Sequence, residues 1–133
     1  MYAKTTRVVD VTDTQLDWLV AVCEGHGDRW LSRWREGGSQ RFFHCEVVYK
    51  YTERPDQMWP IIEREGINVF TSYEGSRIEG SFAEKTGWAA RRHTCGGPLN
   101  PKRFLGRTSL IAAARCYVAS KLGETVEIPE DLI

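Results

Sequence analysis

The feature that most constrains this chain is its closing stretch, residues 106–133, GRTSLIAAARCYVASKLGETVEIPEDLI. It reads as one sharply delimited helix and a short strand. Thr108 is an N-cap residue whose hydroxyl can accept from a first-turn amide that has no partner inside the helix; Ser109 could do the same one position later. The helix is predicted to end at about Lys121 or Leu122. Gly123 suits a left-handed terminating residue, and Lys121 in the last turn complements the helix dipole. Leu110, Ile111, Ala114, Tyr117, Val118 and Leu122 recur at helical spacing as one apolar stripe. Ala112, Ala113, Ala114 and Ala119 leave little side chain between this helix and its neighbours, which points to close packing rather than to a binding role. Residues 125–128 alternate and include β-branched types, as a short strand does. Pro129 stops it, and Glu130 and Asp131 form an acidic tail.

A helix of this kind needs partners. Residues 5–9 read as a strand, and Thr12 with Gln15 forms a capping box. The helix it opens, about 13–24, carries Leu16, Leu19, Val20 and Cys23 on one face, with Trp18 off that stripe and Gly25 as its stop. Residues 28–36 suggest one or two helical turns, with Trp30 and Trp34 four apart and Arg29 and Arg33 beside them. Arginine-flanked aromatics can stack on bases, but packed tryptophans with solvated arginines are the simpler reading. Residues 42–51 form the clearest strand, with Phe43, Cys45, Val47, Tyr49 and Tyr51 facing inward. Residues 53–56 read as a turn. Pro60 is placed to start a helical turn over Ile61 and Ile62, Gly66 interrupts it, and residues 67–71 read as a strand. Residues 77–82 are a weaker strand. Trp88 precedes an irregular loop rich in Gly and Pro, 96–101. The expected fold is α+β: a small antiparallel sheet with the N-terminal and C-terminal helices packed on one face. One domain, 1–133, accommodates this, with a loop or insertion at about 26–41.

Charge and cysteine usage exclude several classes. Lys plus Arg and Asp plus Glu both number 18, so the net charge is zero. That disfavours sequence-independent nucleic-acid binding, which usually needs a net basic surface. No apolar run approaches the roughly 20 residues of a membrane span, and the N-terminus lacks an apolar signal core, so a cytoplasmic location is expected. Cys23, Cys45, Cys95 and Cys116 contain no CxxC pair and are expected to be reduced. His44 beside Cys45 would point to opposite faces of a strand, so no metal site is expected. No nucleophile elbow, phosphate loop, zinc-protease or dinucleotide fingerprint is present, so neither a cofactor nor catalytic residues are assigned. Glu63 and Glu65 are a carboxylate pair that could act as acid and base.

The residues make a better case for a binding site. The loop 99–107 delivers the chain to the start of the last helix, where free amides and the dipole favour an anion. Arg103, Arg107, Thr108 and Ser109 could add donors. Trp59 and Trp88 could offer flat faces, and Glu63, Arg64 and Arg115 polar groups at a rim. Such a set suits a nucleotide-like small molecule.

The chain also resembles a known family. GRTSLIAAARCYVASKLGETVEIPEDL is similar to the end of the NinX-like proteins of lambdoid-type phages and prophages. KTTRVVDVTDTQLDWLVAVCEG resembles their N-terminal strand and helix, YTERPDQMWPIIEREGI their central segment, and Trp88-Ala89-Ala90 their short element before the last helix. The central segment departs from the family pattern: Pro55-Asp56-Gln57-Met58-Trp59 runs straight into Pro60, where a glycine-rich turn is usual. Thr108-Ser109 replaces the usual Thr-Pro, and residues 29–41 are an insertion. The resemblance implies a phage accessory that alters host metabolism, handles DNA or counters a host defence. The leading expectation is a non-enzymatic binder of a nucleotide-like molecule, one that could sequester a host immune signal, and a homo-oligomer. The alternatives are a nucleic-acid or recombination accessory resting on the tryptophan–arginine segment, and an inhibitor of a host protein.

Overall fold

A computed structural model describes residues 3–35, 49–74, 84–92 and 103–133, the side chains of 72–74 and 84–86 excepted. The expected strand 77–82 lies outside these residues, as do residues 36–48 and the loop 93–102. The chain is α+β. Strand β1 (Ala3–Arg7) leads through a 3-10 turn (Val8–Asp10) into α1 (Asp13–Cys23) and α2 (Gly27–Arg35). Then come α3 (Pro55–Glu65), β2 (Ile67–Glu74), β3 (Glu84–Arg92), β4 (Phe104–Gly106), α4 (Ser109–Leu122), β5 (Thr125–Pro129) and a closing 3-10 turn (Glu130–Leu132). Antiparallel pairing is divided between two sheets. β1 pairs with β5, from Ala3 opposite Pro129 to Arg7 opposite Thr125. β2, β3 and β4 form the other, with Ile67 opposite Arg92 and Trp88 opposite Gly106.

Helix α4 is the hub. It lies against all three strands of the larger sheet and also against α1 and α3. Burial therefore runs round the helix rather than along one stripe: Ile111 to Ala114 and Cys116 to Val118 are all buried. Leu122, expected in the stripe, is exposed. Thr108 caps the start by accepting from the Ile111 amide at 3.2 Å. Gly123 ends it with φ +91° and ψ 177°. The chain thus leaves extended towards β5 instead of through a left-handed helical residue, a backbone state that glycine reaches without strain.

The other elements follow local signals. In α1 the capping box is complete: Gln15 N donates to Thr12 Oγ1 at 3.2 Å, and Thr12 N to Gln15 Oε1 at 3.0 Å. Gln15 also donates to the Leu132 carbonyl at 2.7 Å, fastening the C-terminus to α1. Trp18 is partly buried and donates to the Gly27 carbonyl at 3.2 Å, bracing the α1–α2 corner. Trp30 is core, with its indole N–H on the Tyr49 carbonyl at 2.8 Å and its ring stacked on Trp34. Both tryptophans of this segment pack in or against the core, and Arg35 is paired with Asp131.

Two expectations need correction. The strand placed at 42–51 does not reach 49–51. Tyr49 and Lys50 are irregular, Tyr51 begins a turn, and Tyr49 is exposed although Tyr51 is buried. The cause is α3: Gln57 accepts from the Lys50 amide at 2.7 Å and takes the donor a sheet partner would need. Helix α3 itself starts at Pro55, not Pro60, so 53–56 is not a free-standing turn. Pro60 removes the bond to the carbonyl of Asp56. Both residues are exposed, so water can serve that carbonyl.

The tightest joint is between β4 and α4. A Cβ on Gly106 would lie 2.5 Å from the amide nitrogen of Ala112 and 3.0 Å from its Cα. Both are backbone atoms, so the two elements would have to separate. Gly106→Ala is expected to lower stability by about 1–3 kcal/mol, as over-packing does. Urea denaturation measures it, and an unchanged midpoint would show that the joint can open without cost.

Candidate functional site

The ion pairs fix the relative direction of three helices. Arg107, next to the start of α4, pairs with Asp13 at the start of α1, while Tyr117 near the end of α4 donates to Glu24 just past the end of α1. Arg64 in the last turn of α3 also reaches Glu24 and Tyr117. Helices α1, α3 and α4 therefore run the same way, and their N-termini gather at one end of the molecule. An open cleft of about 510 Å³ lies there.

The cleft has a polar and an apolar side. Arg107, Thr108 and Ser109 bring the start of α4, and Leu110 and Ile111 continue along it. Pro55, Trp59 and Ile62 come from α3, Val69 from β2, and Thr52 and Glu53 from the turn before α3; Asp13 completes the rim. Trp59 is about half exposed, and its indole N–H is held by Glu63 at 2.8 Å. The first-turn amides of Ser109 and Leu110 precede any acceptor in their own helix. Helix α1 has Asp13 in its first turn and α3 has Asp56, but α4 has no acidic residue there. Of the three positive helix ends, only that of α4 is left without a carboxylate of its own.

Of the residues expected at a site, the cleft brings together Trp59, Arg107, Thr108 and Ser109, with Glu63 behind Trp59. The remaining four are elsewhere. Arg64 belongs to an ionic cluster at the opposite helix ends. It bonds both oxygens of Glu24 at 3.0 and 2.6 Å, and Glu65 at 2.9 Å. Burial opposes ionisation of Glu24, but the hydrogen bonds from Arg64 and Tyr117 outweigh it and hold its carboxyl below the ordinary value. Arg92 and Lys121 also reach Glu65, at 2.9 and 3.3 Å. Arg115 donates to the Leu105 carbonyl at 2.6 Å and so ties α4 to β4. Trp88 packs against the core from β3, and Arg103 is exposed before β4. Glu63 holds the Trp59 indole at the cleft, while Glu65 belongs to the ionic cluster at the opposite helix ends. Among the described residues no three His, Cys, Asp or Glu side chains gather as a metal site, and no helix is long and apolar enough to cross a membrane. His44, Cys45 and Cys95 lie outside those residues. Burial pushes the thiols of Cys23 and Cys116 up to about 11, so both stay protonated near neutrality.

Thr52 was not singled out by sequence, and Asp17 only as part of the Leu16-Asp17-Trp18 that the family resemblance includes. Asp17 is buried in α1, and its Oδ1 accepts from the Thr52 amide at 2.8 Å. Its physical signal in the sequence was only that it shares a helical face with the buried Ala21. Burial pushes the Asp17 carboxyl up to about 7, against the stabilising pull of Thr52, and the charges of Glu53 and Asp13 add to the rise. The Thr52 hydroxyl favours the charged carboxylate, yet its Oγ1 forms no hydrogen bond of normal geometry.

A carboxyl raised in the folded state binds its proton more tightly there than in the unfolded chain. Its contribution to stability is full below the unfolded value of about 3.8 and is lost as pH rises through about 7. The stability of the protein relative to its Asp17→Asn variant should therefore fall between about pH 4 and pH 7 and level off above. Denaturation midpoints of the two across that range test this, and parallel curves would show that Asp17 ionises as it does in water.

The family model for Bacteriophage P22, NinX matches residues 7–121, which takes in α1 to α3, all of α4 but Leu122, and the whole lining of the cleft. No curated protein and no solved structure matches the chain. With most of its length matched, the chain belongs to the Bacteriophage P22, NinX family.

Proposed function

We propose that this phage-family protein is a non-enzymatic binder of a nucleotide-like small molecule, held in the cleft at the start of α4. The observation that carries this reading is the convergence of an uncompensated helix N-terminus, a guanidinium and an exposed indole on one cavity. Free first-turn amides and the dipole of α4 favour a phosphate. Arg107 is an exposed partner of Asp13, so it can trade that carboxylate for a phosphate at small cost. Trp59 offers a face to a ring, and its hydrogen bond to Glu63 limits the indole's freedom before any ligand arrives. Asp13 and Glu53 suit the hydroxyls of a sugar. The volume falls in the range of about 300–1,000 Å³ usual for small-molecule sites.

We read the cleft as a site of binding without turnover. Of its two carboxylates, Asp13 and Glu53, the first is already engaged by Arg107. In a phage-family protein, stoichiometric capture of a nucleotide suits withdrawal of a host signal, such as an immune messenger, from its receptor.

Calorimetry against cyclic nucleotides, ADP and ADP-ribose tests the reading. One saturable site per chain is expected, with Arg107→Ala and Trp59→Ala each weakening it about tenfold. Silence across the panel would overturn it. Steeply salt-dependent binding to DNA in its place would favour a nucleic-acid accessory.

A further inference from the structure

We propose that Thr52 is the specificity-determining residue of the cleft: its hydroxyl bonds the polar edge of a heteroaromatic ring seated on the apolar side, while the phosphate sits at the start of α4. The inference rests on the nucleotide-like reading above and adds which end of the ligand goes where.

Thr52 is only 4% exposed, yet it lines the cleft. Its Oγ1 is buried and has no hydrogen bond of normal geometry within the protein. Buried hydroxyls nearly always have a partner, because one stripped of water and left unpaired is costly. The backbone around it is not loose. The Thr52 amide is held by Asp17, and the next two amides, of Glu53 and Arg54, donate to the Lys50 carbonyl at 3.0 and 2.9 Å. The backbone that carries the hydroxyl is thus held in place, and the hydroxyl, which faces the Asp17 carboxyl without a hydrogen bond of normal geometry, keeps bonding capacity for a ligand.

The surroundings say which part of the ligand meets it. Ile62, Val69 and Ile111 are apolar and contribute to the same cavity, with Trp59 at the outer edge. A ring can lie on these side chains but a phosphate cannot. The anion donors are on the α4 side, at Arg107 and the first-turn amides. A molecule with a ring at one end and phosphate at the other fits in one direction only. Valine in place of Thr52 would keep the shape and remove only the hydroxyl.

Calorimetry with ADP and with inorganic pyrophosphate, on the wild-type protein, Thr52→Val and Thr52→Ser, reads the proposal. Thr52→Val should weaken ADP about tenfold and leave pyrophosphate unchanged, and Thr52→Ser should restore ADP to within about twofold. The ligand-free Thr52→Val protein should melt no lower than wild type, since it loses an unpaired buried hydroxyl. A structural role for Thr52 would show the opposite: a lower melting temperature or failure to fold, or equal losses for both ligands. Either result overturns the proposal, as does full ADP affinity in Thr52→Val, which would leave the nucleotide-like reading standing. No ADP binding by the wild-type protein would remove the Thr52 assignment, while the wider nucleotide panel decides the reading beneath it.

Discussion

The backbone contact between β4 and α4 is the constraint on which the rest depends. Gly106 contributes no side chain and Ala112 only a methyl, so a strand and a helix approach to backbone contact. With β4 held there, β3 is set by its pairing to β4, and β2 by its pairing to β3. The alanines at 112–114 are all fully buried, and their small size allows neighbours to crowd α4 on several sides. Arg115 adds a polar fastening at the same joint through the Leu105 carbonyl. A helix enclosed in this way cannot shift along its axis without moving the whole domain. The position of its first turn, and therefore of Arg107 to Ser109, is fixed by the packing of residues beside the cleft, Gly106 and Ala112.

Parallel helices give the molecule two unlike ends. Their C-terminal ends carry the negative poles, and there Arg64, Arg92 and Lys121 meet Glu24, Glu65 and Tyr117 in one cluster. Lys121 and Arg64 both lie within about 6 Å of the centre of the Tyr117 ring. That end is closed by its own side chains. The N-terminal ends carry the positive poles, and two of them are answered by Asp13 and Asp56. The third is not. One end is thus closed by paired charges, while the other has a cleft and a helix with no acidic residue in its first turn.

Local signals were legible where the chemistry is local. The capping box at Thr12, the Thr108 cap and the alternation at 125–128 each involve residues within a turn of one another, and each is present as expected. The start of α3 was misplaced because Pro55 and Pro60 are both compatible with a helix start. The choice was made by Gln57 reaching back to the Lys50 amide, a contact no pattern announces. At the cleft, the α4 side was legible for the same reason as its cap. Arg64 and Arg115 were drawn to the site by charge, but each has a structural partner that only the tertiary fold supplies. Thr52 and Asp17 stayed hidden because their importance lies in burial, and a threonine beside a turn gives no sign of it.

Burial of these two groups carries a cost in stability. Elsewhere charged groups are paired at the surface: Arg7 with Asp10, Arg35 with Asp131, Arg54 with Asp56. Such pairs contribute little and cost little. Asp17 instead keeps a carboxyl in the interior at the expense of its ionisation, with one backbone amide as its hydrogen-bond donor. An apolar residue at Asp17 would avoid that desolvation but would leave the Thr52 amide unpaired inside the protein. A hydroxyl at Thr52 carries a similar cost, which valine would not. Selection for stability alone favours neither choice. The two groups meet beside the cleft at the helix N-termini, where the Asp17 carboxyl holds the Thr52 amide, and with it one polar residue of the lining, at a fixed point.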